Sequence, residues 1–253
     1  MGLRIHGSVA FEARLKRREQ EMAPIFAKDV SVEARTAVIG IGGAGCKVVS
    51  DIYWDLPSVD TIAINTDKDT LLNTDADRKL FICREVTKGE GTRGDSLLGR
   101  RCAQAHLEEI EEALSDYDVV YIVAGMGGGT GSGAAPIVAE IAQRLNLVVF
   151  SIAINPFSFE TARSRTAKDG IAHLRSVCPM TVVIENDLVL EKMSDMTMDD
   201  AFRTVNRSVA NYISKQQRKV TGTFKDQFAN IGEFVKDSGK LPESRSFKGI
   251  ATN

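Results

Sequence analysis

The sequence predicts an α/β domain, a parallel Rossmann-like sheet flanked by helices and followed by one long helix. Three observations predict it. Six short apolar runs, TAVIG, TIAIN, LFI, DVVYIV, LVVFSIA and MTVVIE, recur between Thr36 and Glu185 and are too uniformly apolar to leave one face in water. Stretches with helical spacing separate them near residues 44–54, 95–115, 131–145 and 161–177, and a longer one follows at about 198–218. Two glycine-rich loops each join a strand-like run to a helix.

The bulk properties narrow the function classes. A chain of 253 residues with 43% hydrophobic content can bury a sizeable core, and a formal charge of −2 creates no field that would draw in nucleic acid or an anionic membrane. Phosphate binding must therefore come from local geometry. No run reaches the roughly 18 apolar residues of a membrane span, and the N-terminus lacks the apolar block of a secretory signal, so a cytoplasmic location is expected. Cys46, Cys83, Cys102 and Cys178 are scattered without a C-x-x-C pair and are expected as buried free thiols, with no metal site.

Three segments are expected. Residues 1–30 place Phe11, Leu15, Met22 and Phe26 on one face of an amphipathic helix with Arg14, Lys16, Arg17 and Arg18 around it. This helix is expected to dock on its own domain; its basic cluster would also suit a partner or a membrane surface. Residues 31–219 form the main domain including the long helix. In residues 220–253 the pattern weakens, leaving room for one short helix and a strand.

The chemistry concentrates in the glycine loops. Gly40-Ile-Gly-Gly-Ala-Gly45 follows a strand and opens a helix, so the backbone of Gly42, Gly43, Ala44 and Gly45 can approach a phosphate at a helix N-terminus. Alone, this loop also satisfies G-x-G-x-x-G, and Asp67 lies 22 positions past Gly45, where a dinucleotide fold places its ribose-binding carboxylate. A nicotinamide-dependent dehydrogenase is thus a competing reading. The second loop, Gly125 to Pro136 (GMGGGTGSGAAP), argues against it. Two such loops grip a chain of phosphates from two sides, through Gly127, Gly128, Gly129, Thr130, Gly131 and Ser132, with the two hydroxyls available to a phosphate or to a phosphate-bound Mg²⁺. The P-loop pattern G-x-x-x-x-G-K-[ST] is missing.

GGGTGSG resembles the signature loop of the tubulin/FtsZ family, and the motifs from about Thr36 to Ile231 follow that family's order, more in the manner of FtsZ than of eukaryotic tubulin. Asn65-Thr66-Asp67 follows the second strand. GEGTRGDSLLGR, with Gly91, Thr92, Arg93 and Gly94, is similar to the γ-phosphate-sensing loop. NPFSFE with Glu160 and Arg163 resembles the ribose-contacting segment, Asn186 lies in ENDLVL, and Phe202 stands where the family's central helix stacks a ring on the base.

The resemblance implies GTP or GDP as ligand, with Mg²⁺ carried by the nucleotide. It also implies head-to-tail self-association or association with a full-length FtsZ-like partner, and hydrolysis completed by a loop of the next subunit. Three departures qualify this. The synergy loop matches Lys225-Asp226-Gln227-Phe228-Ala229-Asn230, with Gln227 and Asn230 at the two carboxylate positions. An amide cannot act as a carboxylate base, so weak or absent turnover is expected, although Asp226 or a water-orienting Gln227 would allow activation in trans. The base-reading positions carry Lys47 and Arg207 in place of hydrogen-bond acceptors, which disfavours guanine. Only 22 residues follow Ile231, which fits a non-hydrolysing cap or regulator of a full-length relative, or a truncated product. Arg93, where the family has small residues, would neutralise γ-phosphate charge or sit in solvent.

Overall fold

Strand β1 (Thr36–Ile41) is buried along its whole length and occupies the middle of a sheet whose order is β3-β2-β1-β4-β5-β6. The structure is a computed structural model and describes residues 34–188 and 197–238, apart from the side chains of 198, 199 and 221–238. Its other strands are β2 (Asp60–Asn65), β3 (Arg78–Phe81), β4 (Val119–Gly125), β5 (Val148–Asn155) and β6 (Thr181–Glu185). Every pairing is parallel, with Ile39 beside both Ile62 and Ile122. The helices are α1 (Gly42–Asp55), α2 (Lys68–Leu72), α3 (Arg84–Thr87), α4 (Ser96–Ala105), α5 (Leu107–Leu114), α6 (Gly129–Arg144), α7 (Thr161–Val177) and α8 (Met198–Ser238). All six apolar runs form strands, as the sequence predicts.

The alternation of side chains along each strand divides the core into two layers. Ile39, Ile41, Ile62, Ile64, Ile122 and Ala124 face one side and pack against α4, α5, α6 and α7. Val38, Ala63, Tyr121, Val123, Ile152 and Ile154 face the other, where α1 and the Val205, Val209 and Ile213 stripe of α8 cover them. Continuous apolar strands are the sequence mark of a sheet covered on both faces.

Three expectations are corrected. The single helix expected over 95–115 is divided at His106, whose backbone leaves the helical region (φ −111°, ψ 28°) while its Nε2 accepts a hydrogen bond from the Cys83 N–H at 2.8 Å. Cys83 and Cys102 are not free thiols but form a disulfide, with Cα atoms 5.1 Å apart, tying the residue before α3 to the middle of α4. Cys46 and Cys178 are free and buried as expected, and burial pushes the Cys46 thiol up to about 11. Finally, the chain does not break near 219, because the α8 backbone stays helical to Ser238. Phe224, Phe228, Ile231 and Val235 recur at helical spacing there. The expected N-terminal helix of residues 1–30 lies outside the described residues. No helix among the described residues is long and apolar enough to cross a membrane.

Tyr121 stacks on Phe150 with ring centroids 5.0 Å apart, yet its fully buried hydroxyl has no hydrogen-bond partner among the described residues. An unpaired buried hydroxyl costs about 1–3 kcal/mol. Tyr121→Phe removes that cost and little else, so it is expected to raise stability by about 1 kcal/mol in urea denaturation.

Candidate functional site

The strand order reverses between β1 and β4, and the crevice opens beyond their carboxyl ends, the usual ligand position in a doubly wound sheet. Two helices begin there. Helix α1 starts at Gly42 after β1 and α6 at Gly129 after β4, and neither has a side-chain N-cap or an acidic residue in its first turn. Neighbouring α2 and α4, in contrast, are capped by carboxylates: Asp67 accepts from the Thr70 N–H at 2.7 Å, and Asp95 accepts from the Leu98 N–H at 3.0 Å. Helices α1 and α6 thus turn uncapped N-termini, whose N–H groups can meet an anion, toward the crevice.

A cavity of about 560 Å³ occupies the crevice, within the range of small-molecule sites. At one end it is walled by Gly42, Gly43 and Ala44 on one side and by Gly128, Gly129, Thr130 and Gly131 on the other. Gly42 has φ +70°, and a Cβ there would lie 3.0 Å from the Gly131 nitrogen, so the two loops interlock. Asn65, buried at 1% exposure, holds the adjoining turn by accepting from the Thr66 and Asp67 N–H groups at 2.8 and 3.2 Å. Thr66 in turn shares a hydrogen bond with Thr130 (2.7 Å), and Thr92 lies 3.4 Å from the same hydroxyl. Three loops are thus tied by three buried threonines.

The third loop brings Gly91, Thr92 and Arg93 to the cavity. The Arg93 guanidinium pairs with Glu90, so its charge is offset locally. On the opposite wall, Glu160 accepts from Arg163 at 2.6 Å and from the Phe157 N–H at 3.2 Å, and both side chains line the cavity. At the far end Phe202 is half-exposed, edge-on to Phe157, with the Lys47 ammonium 5.7 Å from its ring centroid. Asn186 lines this end at 3% exposure, and its Oδ1 has no partner among the described residues. A buried acceptor without a donor is a gap that a ligand N–H would fill.

Several sequence-predicted residues do not line the cavity. Gly45 packs beneath the first loop against the Val123 carbonyl, and Gly94 stands clear in solvent. Gly127 and Ser132 support the second loop from behind, the Gly127 N–H donating to Ser132 Oγ at 2.9 Å. Ser132 is thus a brace and does not line this cavity. Arg207 is exposed and off the cavity; Asn206, one residue earlier, lines it. The helical repeat explains the correction, since Asn206 stacks one turn above Phe202 whereas Arg207 is rotated about 100° away. The i, i+4 spacing from Phe202 was the available signal. Glu90, Thr70 and Thr66 were also missed; Glu90 and Thr66 lay inside motifs already singled out, and Thr70 did not. Asp226, Gln227 and Asn230 lie on the helical backbone of α8, and their side chains are outside the described residues. Among the described residues no group of three or more His, Cys, Asp or Glu side chains comes together.

These features define a class: a doubly wound α/β domain whose switch point carries two uncapped helix N-termini and whose crevice is closed by a long helix. Comparison with known proteins gives the family. A model described as the Tubulin/FtsZ family, GTPase domain, matches residues 35–194, more than half of the chain. Cell division protein FtsZ 2 of Methanocaldococcus jannaschii is 37% identical over 189 residues, covering 74% of this chain and 50% of that protein. The protein of the same name from Haloferax volcanii is 34% identical over 190 residues, covering 75% and 48%. Among solved structures, an FtsZ dimer of M. jannaschii superposes with a TM-score of 0.71 at 30% identity, over 83% of this chain and 59% of that one. CetZ2 of H. volcanii, solved as a GTPγS-bound protofilament, gives 0.65 at 26% identity, over 72% and 58%. The chain belongs to the tubulin/FtsZ family, and it spans about half the length of the curated relatives it matches.

Proposed function

We propose that the crevice binds GTP or GDP and that the isolated chain hydrolyses GTP weakly or not at all. The observation that carries this is the pairing of uncapped α1 and α6 with capped α2 and α4, which leaves free backbone N–H groups where a phosphate chain would lie. Gly42 to Ala44 and Gly128 to Gly131 would hold the phosphates, Glu160 and Arg163 the ribose, and Phe202 would stack on the base. Asn186 Oδ1 and Asn206 supply acceptors at the base edge, which offsets the loss expected from Lys47 and Arg207 and supports guanine. A Mg²⁺ arriving with the nucleotide would neutralise phosphate charge near Thr130.

The expectation of poor turnover rests on Gln227 and Asn230. Activation in trans through Asp226 or Gln227 is the second reading, favoured by likeness to a CetZ2 protofilament. Association with itself or with a full-length FtsZ-like protein belongs to the same proposal, as does a role in cell division or the cytoskeleton. The test is to denature purified protein and identify what is released. Near-stoichiometric GTP or GDP is expected, and an empty pocket or another base would overturn the reading. Phosphate release rising more steeply than protein concentration would favour the second reading over the first.

A further inference from the structure

We propose that Asp51 is a positioning residue for base selection, fixing the Asn206 amide so that its carbonyl oxygen, not its nitrogen, is offered to the nucleobase. The inference rests on the guanine-nucleotide reading above and adds a residue to it. Asp51 lies on α1, half-buried, and Asn206 on α8, so the contact joins two helices that meet beside the base end of the cavity. The Asn206 Nδ2 donates to Asp51 Oδ2 at 2.8 Å. Among the described residues no donor reaches Asn206 Oδ1, and the side chain lines the cavity.

The chemistry follows from what each group can do. An asparagine amide is a donor at one end and an acceptor at the other, and left alone it can present either. A carboxylate only accepts, so the Asp51 partner commits the nitrogen and leaves the oxygen to face elsewhere. Guanine offers donors on its Watson–Crick edge, N1–H and the 2-amino group, whereas adenine offers an acceptor at N1. An amide held oxygen-outward therefore favours guanine, and a freely rotating one accommodates both. Lys47 does not compete for this role, because its ammonium stands over the Phe202 ring. Arg203 and Lys47 share the polar recess on the Asp51 side with Ser50 and Asn73, and neither forms an ion pair with Asp51 among the described residues.

The test is the ratio of GTP to ATP affinity, measured by competition against a fluorescent GTP analogue on nucleotide-stripped full chain. The wild-type protein is expected to favour GTP. Asp51→Ala, at a helical position that tolerates alanine, is expected to reduce that preference about tenfold while leaving the melting temperature nearly unchanged. The double variant Asp51→Ala/Asn206→Asp is expected to restore it, because a carboxylate at 206 accepts whichever way it turns. A purely packing role for Asp51 would lower both affinities together and would not be rescued. An unchanged ratio in Asp51→Ala overturns the positioning role and leaves the guanine reading standing. Equal wild-type affinities for GTP and ATP overturn both. Where the single variant does not fold, the double variant decides: a GTP preference equal to wild type supports the proposal, and its loss overturns it.

Discussion

Gly131→Ala is expected to abolish nucleotide retention and to destabilise the fold by about 1–3 kcal/mol. Gly131 lies in the first turn of α6, where alanine would ordinarily be favoured by about 1 kcal/mol. Here the added methyl would overlap the Gly125 carbonyl at the end of β4, a backbone atom that cannot turn aside. To relieve the overlap, α6 must move away from β4, and the Gly131 N–H moves with it, out of register with the Gly42 loop. Overpacking against backbone outweighs the propensity gain. Gly43→Ala is the control, since a Cβ there meets nothing within 4 Å and the propensity gain goes unopposed, so the urea midpoint is expected to stay level or rise slightly. Equal midpoints and equal nucleotide content for Gly131→Ala and wild type would show that the two loops are not interlocked as described.

Reduction of Cys83–Cys102 is expected to have the next largest effect, a loss of about 3 kcal/mol from opening a loop with a sequence separation of 19. Residues 83–102 contain the whole third loop, including Gly91, Thr92 and Arg93. The crosslink therefore limits how far that loop can depart in the unfolded chain, and its ends in the folded one. Urea denaturation with and without dithiothreitol measures the difference directly. Cys83→Ala/Cys102→Ala is expected to match the reduced protein and to ignore the reductant. A wild-type midpoint insensitive to dithiothreitol would mean that the two thiols contribute no crosslink in solution.

The four inner strands were legible because each is an apolar run buried on both faces, which leaves no alternation to misread, and the edge strands β3 and β6 showed through their shorter apolar runs. The glycine-loop end of the cavity, the proposed phosphate site, was legible for a related reason: Gly42, Gly129 and Gly131 shape it through backbone, and backbone requirements show directly as glycines. The Phe202 end was harder. There the lining depends on which face of α8 each residue occupies, and a one-residue displacement moved the assignment from Asn206 to Arg207. The disulfide was invisible, because Cys83 and Cys102 carry no spacing rule and are brought together only when α4 lies back across the sheet. The continuation of α8 was hidden by Thr221, Gly222 and Thr223, which weaken local helix propensity without ending the helix.

Helix α8 also fixes what one molecule can do by itself. Asp226 comes 24 residues after Phe202 on the same unbroken helix, and at about 1.5 Å per residue the two are about 36 Å apart. That exceeds the span from base to terminal phosphate of a nucleotide, so Asp226 and Gln227 would not reach the phosphates of one stacked on Phe202 of their own chain, as proposed. A water held by either residue would have to attack a nucleotide carried by another molecule. Completed sites would then be counted by contacts, not by molecules: a row of n chains contains n − 1 of them, and a solitary chain contains none.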